Sequence, residues 1–132
     1  MKKIIILIFY SFILISCTTA PSKEEMMYAY YGDYPVNYKE IVENYMSIRL
    51  KDPMSVRYRY LDGPVEAWYG ASPYNKYGYS LCVYINAKNS FGGYTGPKLN
   101  YFMINTGINT GPIIVHNHSE YNVERLCSPL QQ

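Results

Sequence analysis

From Asn37 onward the order of apolar and polar positions follows first one period and then another. Tyr38, Ile41, Tyr45 and Ile48 recur at three- and four-residue spacing, and Val42 and Met46 widen the stripe. That is the pattern of a helix with one face on a core. Asn37 stands where an N-cap belongs, and Glu40 three residues later is placed to reach back as in a capping box. Arg49 and Lys51 fall in the expected last turn, where cations favour the helix dipole, and Pro53 makes Asp52 a poor helical residue. The spacing predicts a helix over about 37–51.

Beyond Pro53 the period shortens to two. In Ser55–Leu61, Val56, Tyr58 and Tyr60 alternate with Arg57 and Arg59, as in a half-buried strand. Asp62-Gly63-Pro64 reads as a turn, with Val65–Tyr69 returning as a second strand. The strongest strand is Tyr77–Asn86, where Tyr77, Tyr79, Leu81, Val83 and Ile85 take one face. Leu99–Asn105 and Ile113–His118 complete the set. One helix followed by a run of strands predicts an α+β fold, with one N-terminal helix packed on an antiparallel sheet of about four to five strands. Residues 35–132 are assigned to this single domain.

The beginning of the chain obeys neither period. Lys2 and Lys3 precede an unbroken apolar run, Ile4–Ile15, followed by Ser16 and Cys17. Twelve helical residues rise about 18 Å, short of a hydrocarbon core of about 30 Å, so the run reads as a signal-peptide core and not a span. Leu14-Ile15-Ser16-Cys17 resembles the lipobox of bacterial lipoproteins. The resemblance implies cleavage after residue 16, acylation of Cys17 and attachment to a membrane facing the periplasm. Thr18, where an aspartate would retain the protein, implies the outer membrane. Several acyl chains make such an anchor stable where one would be marginal. Residues 17–34 then serve as lipidated cysteine and tether.

Removal of Lys2 and Lys3 leaves ten Lys and Arg against ten Asp and Glu. A chain without net charge or a basic block lacks what tight nucleic-acid binding needs, and no nucleic-acid partner is expected. Two cysteines remain, Cys82 and Cys127, and in an oxidising periplasm an isolated pair most often bonds. The alternatives are a buried thiol at Cys82 and a loose tail at Cys127. Tyrosine occurs 17 times against 4 Phe and 1 Trp, a usage that suits half-buried strands and contact surfaces alike.

Residues 86–97 (NAKNSFGGYTGP) join two predicted strands. Gly92, Gly93 and Gly96 suit the turns of a long connection, and Asn89 and Ser90 bond readily to their own backbone. The same segment places Asn86, Lys88, Asn89 and Ser90 beside the aromatics Phe91 and Tyr94, a mixture suited to binding a protein or glycan. Leu50-Lys51-Asp52-Pro53, Ser55, the strand carrying Cys82 and the loop Asn86–Gly96 together resemble a family of small exported proteobacterial proteins. That family has no assigned activity, cofactor or substrate.

Catalytic templates are incomplete. No Gly-rich phosphate loop opens a helix, and no serine lies in a nucleophile-elbow or Ser-x-x-Lys setting. Glu66, Glu120 and Glu124 are not paired by spacing. His116 and His118 share a strand face but lack a third ligand, so no metal or other cofactor is expected and the pair reads as an exposed strand end. The expectation is a non-enzymatic envelope lipoprotein that binds an envelope protein or glycan. Two alternatives stand beside it: an inhibitor of a lysozyme-like peptidoglycan hydrolase, and a small lipoprotein subunit of a secretion or conjugation apparatus.

Overall fold

Strand formation is governed by one long segment, Lys76–Asn86 (β3), in which Ser80, Leu81, Cys82 and Val83 are all buried. A strand buried on both faces needs cover on both. In the computed structural model, described over residues 20–71, 73–107, 111–118 and 120–128, that cover comes from two helices on opposite sides of the sheet. Residues 1–16 and Cys17, assigned above to signal peptide and anchor, lie outside the described residues.

The fold is α+β with a five-stranded antiparallel sheet. Three helices are described: α1 (Lys23–Tyr28), α2 (Tyr38–Ser47) and α3 (Glu120–Cys127). The other strands are β1 (Arg57–Tyr60), β2 (Val65–Tyr69), β4 (Lys98–Asn105) and β5 (Ile113–Asn117). The path runs β1-β3-β4-β5, and β2 also pairs with β3.

The expected hairpin between β1 and β2 is not formed. Arg57 lies opposite Asn86 and Tyr60 opposite Val83; Val65 then lies opposite Ser80 and Tyr69 opposite Lys76. Both strands therefore run in one direction along the same edge of β3. Four residues, Leu61–Pro64, stand opposite two on β3. Leu61 still donates its N–H to the Cys82 carbonyl at 3.0 Å. Asp62-Gly63-Pro64 is a local bulge, because proline cannot donate to the ladder.

On one face α2 lays Val42 and Met46 over Leu81, Val83, Ile85, Phe102 and Ile104. The helix is shorter than predicted and its stripe is rotated. Ile48 is 81% exposed, while Tyr38, Ile41 and Tyr45 flank the buried line. Asn37 makes no side-chain cap, its backbone being turned away from the extended form that capping uses. Both Arg49 and Leu50 donate backbone N–H groups to the Met46 carbonyl, which ends the helix before the two cations reach it.

The opposite face corrects the one-helix expectation. Here α3 seats Val123 and Cys127 against Cys82, Tyr101 and Met103, and the Cys82–Cys127 disulfide fixes it there. The Ser80 and Tyr101 hydroxyls meet at 2.5 Å within this layer. Ahead of α2, the segment assigned to the tether contains α1, started by a Ser22–Glu25 capping box. It then packs edge-on through Tyr31 to Tyr77 and Tyr34 to Tyr79. No described helix is long and apolar enough to cross a membrane.

Candidate functional site

The connection between β3 and β4 is an ordered hairpin extension. Lys88 and Tyr94 form an isolated antiparallel bridge, and inside it Asn89 organises the turn. Its Oδ1 accepts the N–H groups of Phe91 at 2.9 Å and Gly93 at 3.1 Å. Its own N–H donates to the Gly93 carbonyl at 2.8 Å. An Asn side chain that replaces backbone partners in this way holds a turn without neighbours. Gly92 and Gly96 take the positive φ angles, 81° and 91°, while Gly93 does not.

The loop is also fastened to the segment that follows α2. The Tyr94 hydroxyl donates to the Ser55 carbonyl at 2.8 Å, and the Lys51 ammonium donates to Ser90 Oγ at 2.6 Å. Lys88 pairs with Asp52 at 3.9 Å. Arg57 lies 4.4 Å over the Tyr94 ring, with Lys88 at 5.5 Å. The predicted residues thus divide. Asn89, Ser90 and Tyr94 hold the loop, Lys88 bridges it, and Asn86 lies in the strand register with a buried Oδ1 that has no partner. Phe91 alone is left 97% exposed at the tip.

Two clefts flank the same end of the sheet. One, of about 550 Å³, lies on the α2 face, bordered by Tyr45, Arg49, Lys98, Asn100, His116 and His118. The other, of about 710 Å³, lies on the α3 face and includes Tyr84, Leu99, His118, Glu120 and Glu124. The structure therefore brings Glu120 and Glu124 to one cleft wall, four residues apart on α3, which their spacing alone did not signal before the helix was known.

His116 departs from the expected exposed strand end. Its ring stacks on Phe102, 4.5 Å between centroids and 1° from parallel, with the Tyr45 ring edge-on at 5.5 Å. Asn100 Nδ2 donates to the Lys98 carbonyl at 2.9 Å, so Asn100 Oδ1 faces the imidazole and His116 Nε2 is the donor at 2.9 Å. Burial, then His118, then Arg49 push His116 from the ordinary 6.5 down to about 4. His118 lies 5.4 Å from it, tilted by 40°. Among the described residues no three His, Cys, Asp or Glu are grouped so as to hold a metal.

Three arginines rest on tyrosine faces: Arg49 on Tyr45 at 3.5 Å, Arg57 on Tyr94 at 4.4 Å and Arg59 on Tyr84 at 4.3 Å. Sequence reasoning placed Tyr45 in the helix stripe and Arg49 in its last turn, without a binding role, and did not name Lys98 or Asn100. The two pairs meet only through long-range packing, which no local spacing marks. The chain matches no protein-family model, no curated protein and no solved structure.

Proposed function

We propose that the protein is a lipid-anchored, periplasm-facing module of the bacterial cell envelope that binds another envelope component, protein or glycan, through the 86–97 loop and performs no catalysis of its own. One observation carries this reading: Phe91 is presented bare at the tip of a loop held by Asn89, Ser90 and Tyr94. Scattered exposed apolar side chains are ordinary on protein surfaces. This one is different because the surrounding hydrogen bonds remove the freedom that binding would otherwise have to freeze. The cations on Tyr94 add a polar rim of the kind that surrounds an aromatic anchor.

The anchor at Cys17 rests on the lipobox resemblance, and the chain enters the fold far from the loop. Asn105 Nδ2 donates to the Tyr30 carbonyl at 3.1 Å and Thr106 Oγ1 to the Asp33 carbonyl at 2.7 Å. Both contacts lie at the end of β4 opposite Lys98, where the loop returns. A tether at one end and an exposed aromatic at the other suit a module that reaches away from its membrane.

The test is crosslinking of the tagged full-length protein in cells, comparing the native chain with Phe91→Ala. Loss of a well-packed aromatic anchor costs about 2 kcal/mol or more, so capture should fall roughly thirtyfold while the fold is kept. Equal capture by the two would remove the loop from binding. Recovery of a peptidoglycan hydrolase or of a large secretion assembly would direct the same module to inhibition or to assembly.

A further inference from the structure

The cleft between the end of α2 and strands β4 and β5 gathers two cations and two imidazoles, with no carboxylate in its lining. Arg49, Lys98, His116 and His118 border it, together with Asn100 and Thr95. Among the described residues the ion pair is Lys88 with Asp52, so neither Arg49 nor Lys98 is held in one. Glu120 and Glu124 line the neighbouring cleft on the other face, which Lys98 and His118 also border, and are not in the lining of this one.

These groups are positioned by contacts that leave their charge available. The Arg49 guanidinium lies flat on Tyr45 at 3.5 Å and uses one N–H on the Tyr45 carbonyl at 2.8 Å. A guanidinium has five donors in a planar fork, so several remain. The backbone N–H groups of Arg49 and Leu50 cover the Met46 carbonyl, which blunts the negative end of the helix beside the cleft. His116 is fixed by Phe102, Tyr45 and Asn100. Its titration is pushed down first by burial and then by His118 and Arg49.

We propose that this cleft is an oxyanion site, which takes a carboxylate or phosphate group between the Arg49 guanidinium and the Lys98 ammonium beside His116. A planar fork matches either group in two-point contact, and an ammonium supplies a point charge to the same anion. The volume of about 550 Å³ admits a sugar- or short-peptide-sized body carrying the charge. Tyr45, whose ring already carries the guanidinium, holds the fork in place before the ligand arrives. The site does not need the loop to bind anything, so its fate and that of Phe91 are read separately.

The full-length protein in a neutral detergent, titrated at constant ionic strength with sulfate and separately with acetate, tests it by amide and side-chain nuclear magnetic resonance. Sulfate stands in for phosphate without changing its charge near neutrality, and acetate stands in for a carboxylate. The expected result is a saturable shift centred on Arg49, Lys98, the Asn100 side-chain amide and His116. Stronger saturation by sulfate assigns the site to phosphate-bearing ligands, and stronger saturation by acetate to carboxylate-bearing ones. Arg49→Gln should weaken either at least tenfold. Lys98→Gln, at an exposed position that does not support the core, should weaken it severalfold with the spectrum otherwise unchanged. Shifts spread evenly over surface lysines, or binding unaltered by Lys98→Gln, would overturn the proposal.

Discussion

His116 makes the pH response of the fold calculable in sign. Its native titration lies near 4 against 6.5 ordinarily, with burial as the first cause. In the unfolded chain the ring protonates as pH falls through 6.5, while the folded chain keeps it neutral until about 4. The unfolded state therefore binds more protons in that window, and stability is lost as pH drops through it and is fully present above it. Solvent reaches part of the ring, so screening reduces the effect to about 1–2 kcal/mol. Urea unfolding at pH 7 and at pH 4.5 measures it, with His116→Gln expected to lessen the difference. An equal loss in that variant would place the pH response elsewhere. The sequence signal here, two histidines two positions apart, revealed a shared strand side. It did not reveal the Phe102 stack, because residue 102 comes from the neighbouring strand.

At the scale of elements, the sequence disclosed those whose period survives burial and hid those whose meaning depends on register. The alternation of β3 and the apolar stripe of α2 were legible because each has one strongly apolar side. The β1–β2 edge was misread as a hairpin: Asp62-Gly63-Pro64 is turn-forming by composition, and only the pairing to β3 shows that the chain bulges and carries on. Helix α3 was missed although Val123, Leu126 and Cys127 stand at helical spacing, since eight short and largely polar residues give a weak signal. The loop residues were found by composition, but their division into fasteners and one bare aromatic needed the partners Ser55 and Lys51, more than thirty residues away.

Helix α3 also has a testable dependence. Few buried side chains hold it, and Cys127 is one of them. The disulfide closes a separation of 45 residues, which the chain-entropy relation values at about 3–4 kcal/mol. Replacing both cysteines with serine should lower the urea midpoint accordingly and raise hydrogen exchange first in 120–127 and in the β4 residues beneath it. Faster exchange confined to α2 would contradict the assignment of cover on that face.

The whole molecule is a bar with different business at its two ends. Tyr31 on Tyr77 and Tyr34 on Tyr79 clamp the entering chain to the start of β3, and the loop leaves from its finish. The eleven residues of β3 span about 33 Å at the usual strand rise, before the loop adds its own projection. From Cys17 to the clamp at Tyr30 the chain includes the six-residue α1 and reaches at most about 33 Å when fully drawn out. On the proposed anchoring, Phe91 stands clear of the anchoring membrane when β3 points away from it, and meets the membrane when the sheet lies along the surface. Lipidated protein in vesicles carrying a nitroxide at the headgroup, with a fluorescent amino acid placed at 28 or at 91, tests this arrangement. Quenching is expected to be strong at 28 and at least fivefold weaker at 91. Comparable quenching at the two positions would mean that the loop lies on the membrane, and the aromatic tip would then be a lipid contact instead of one aimed outward.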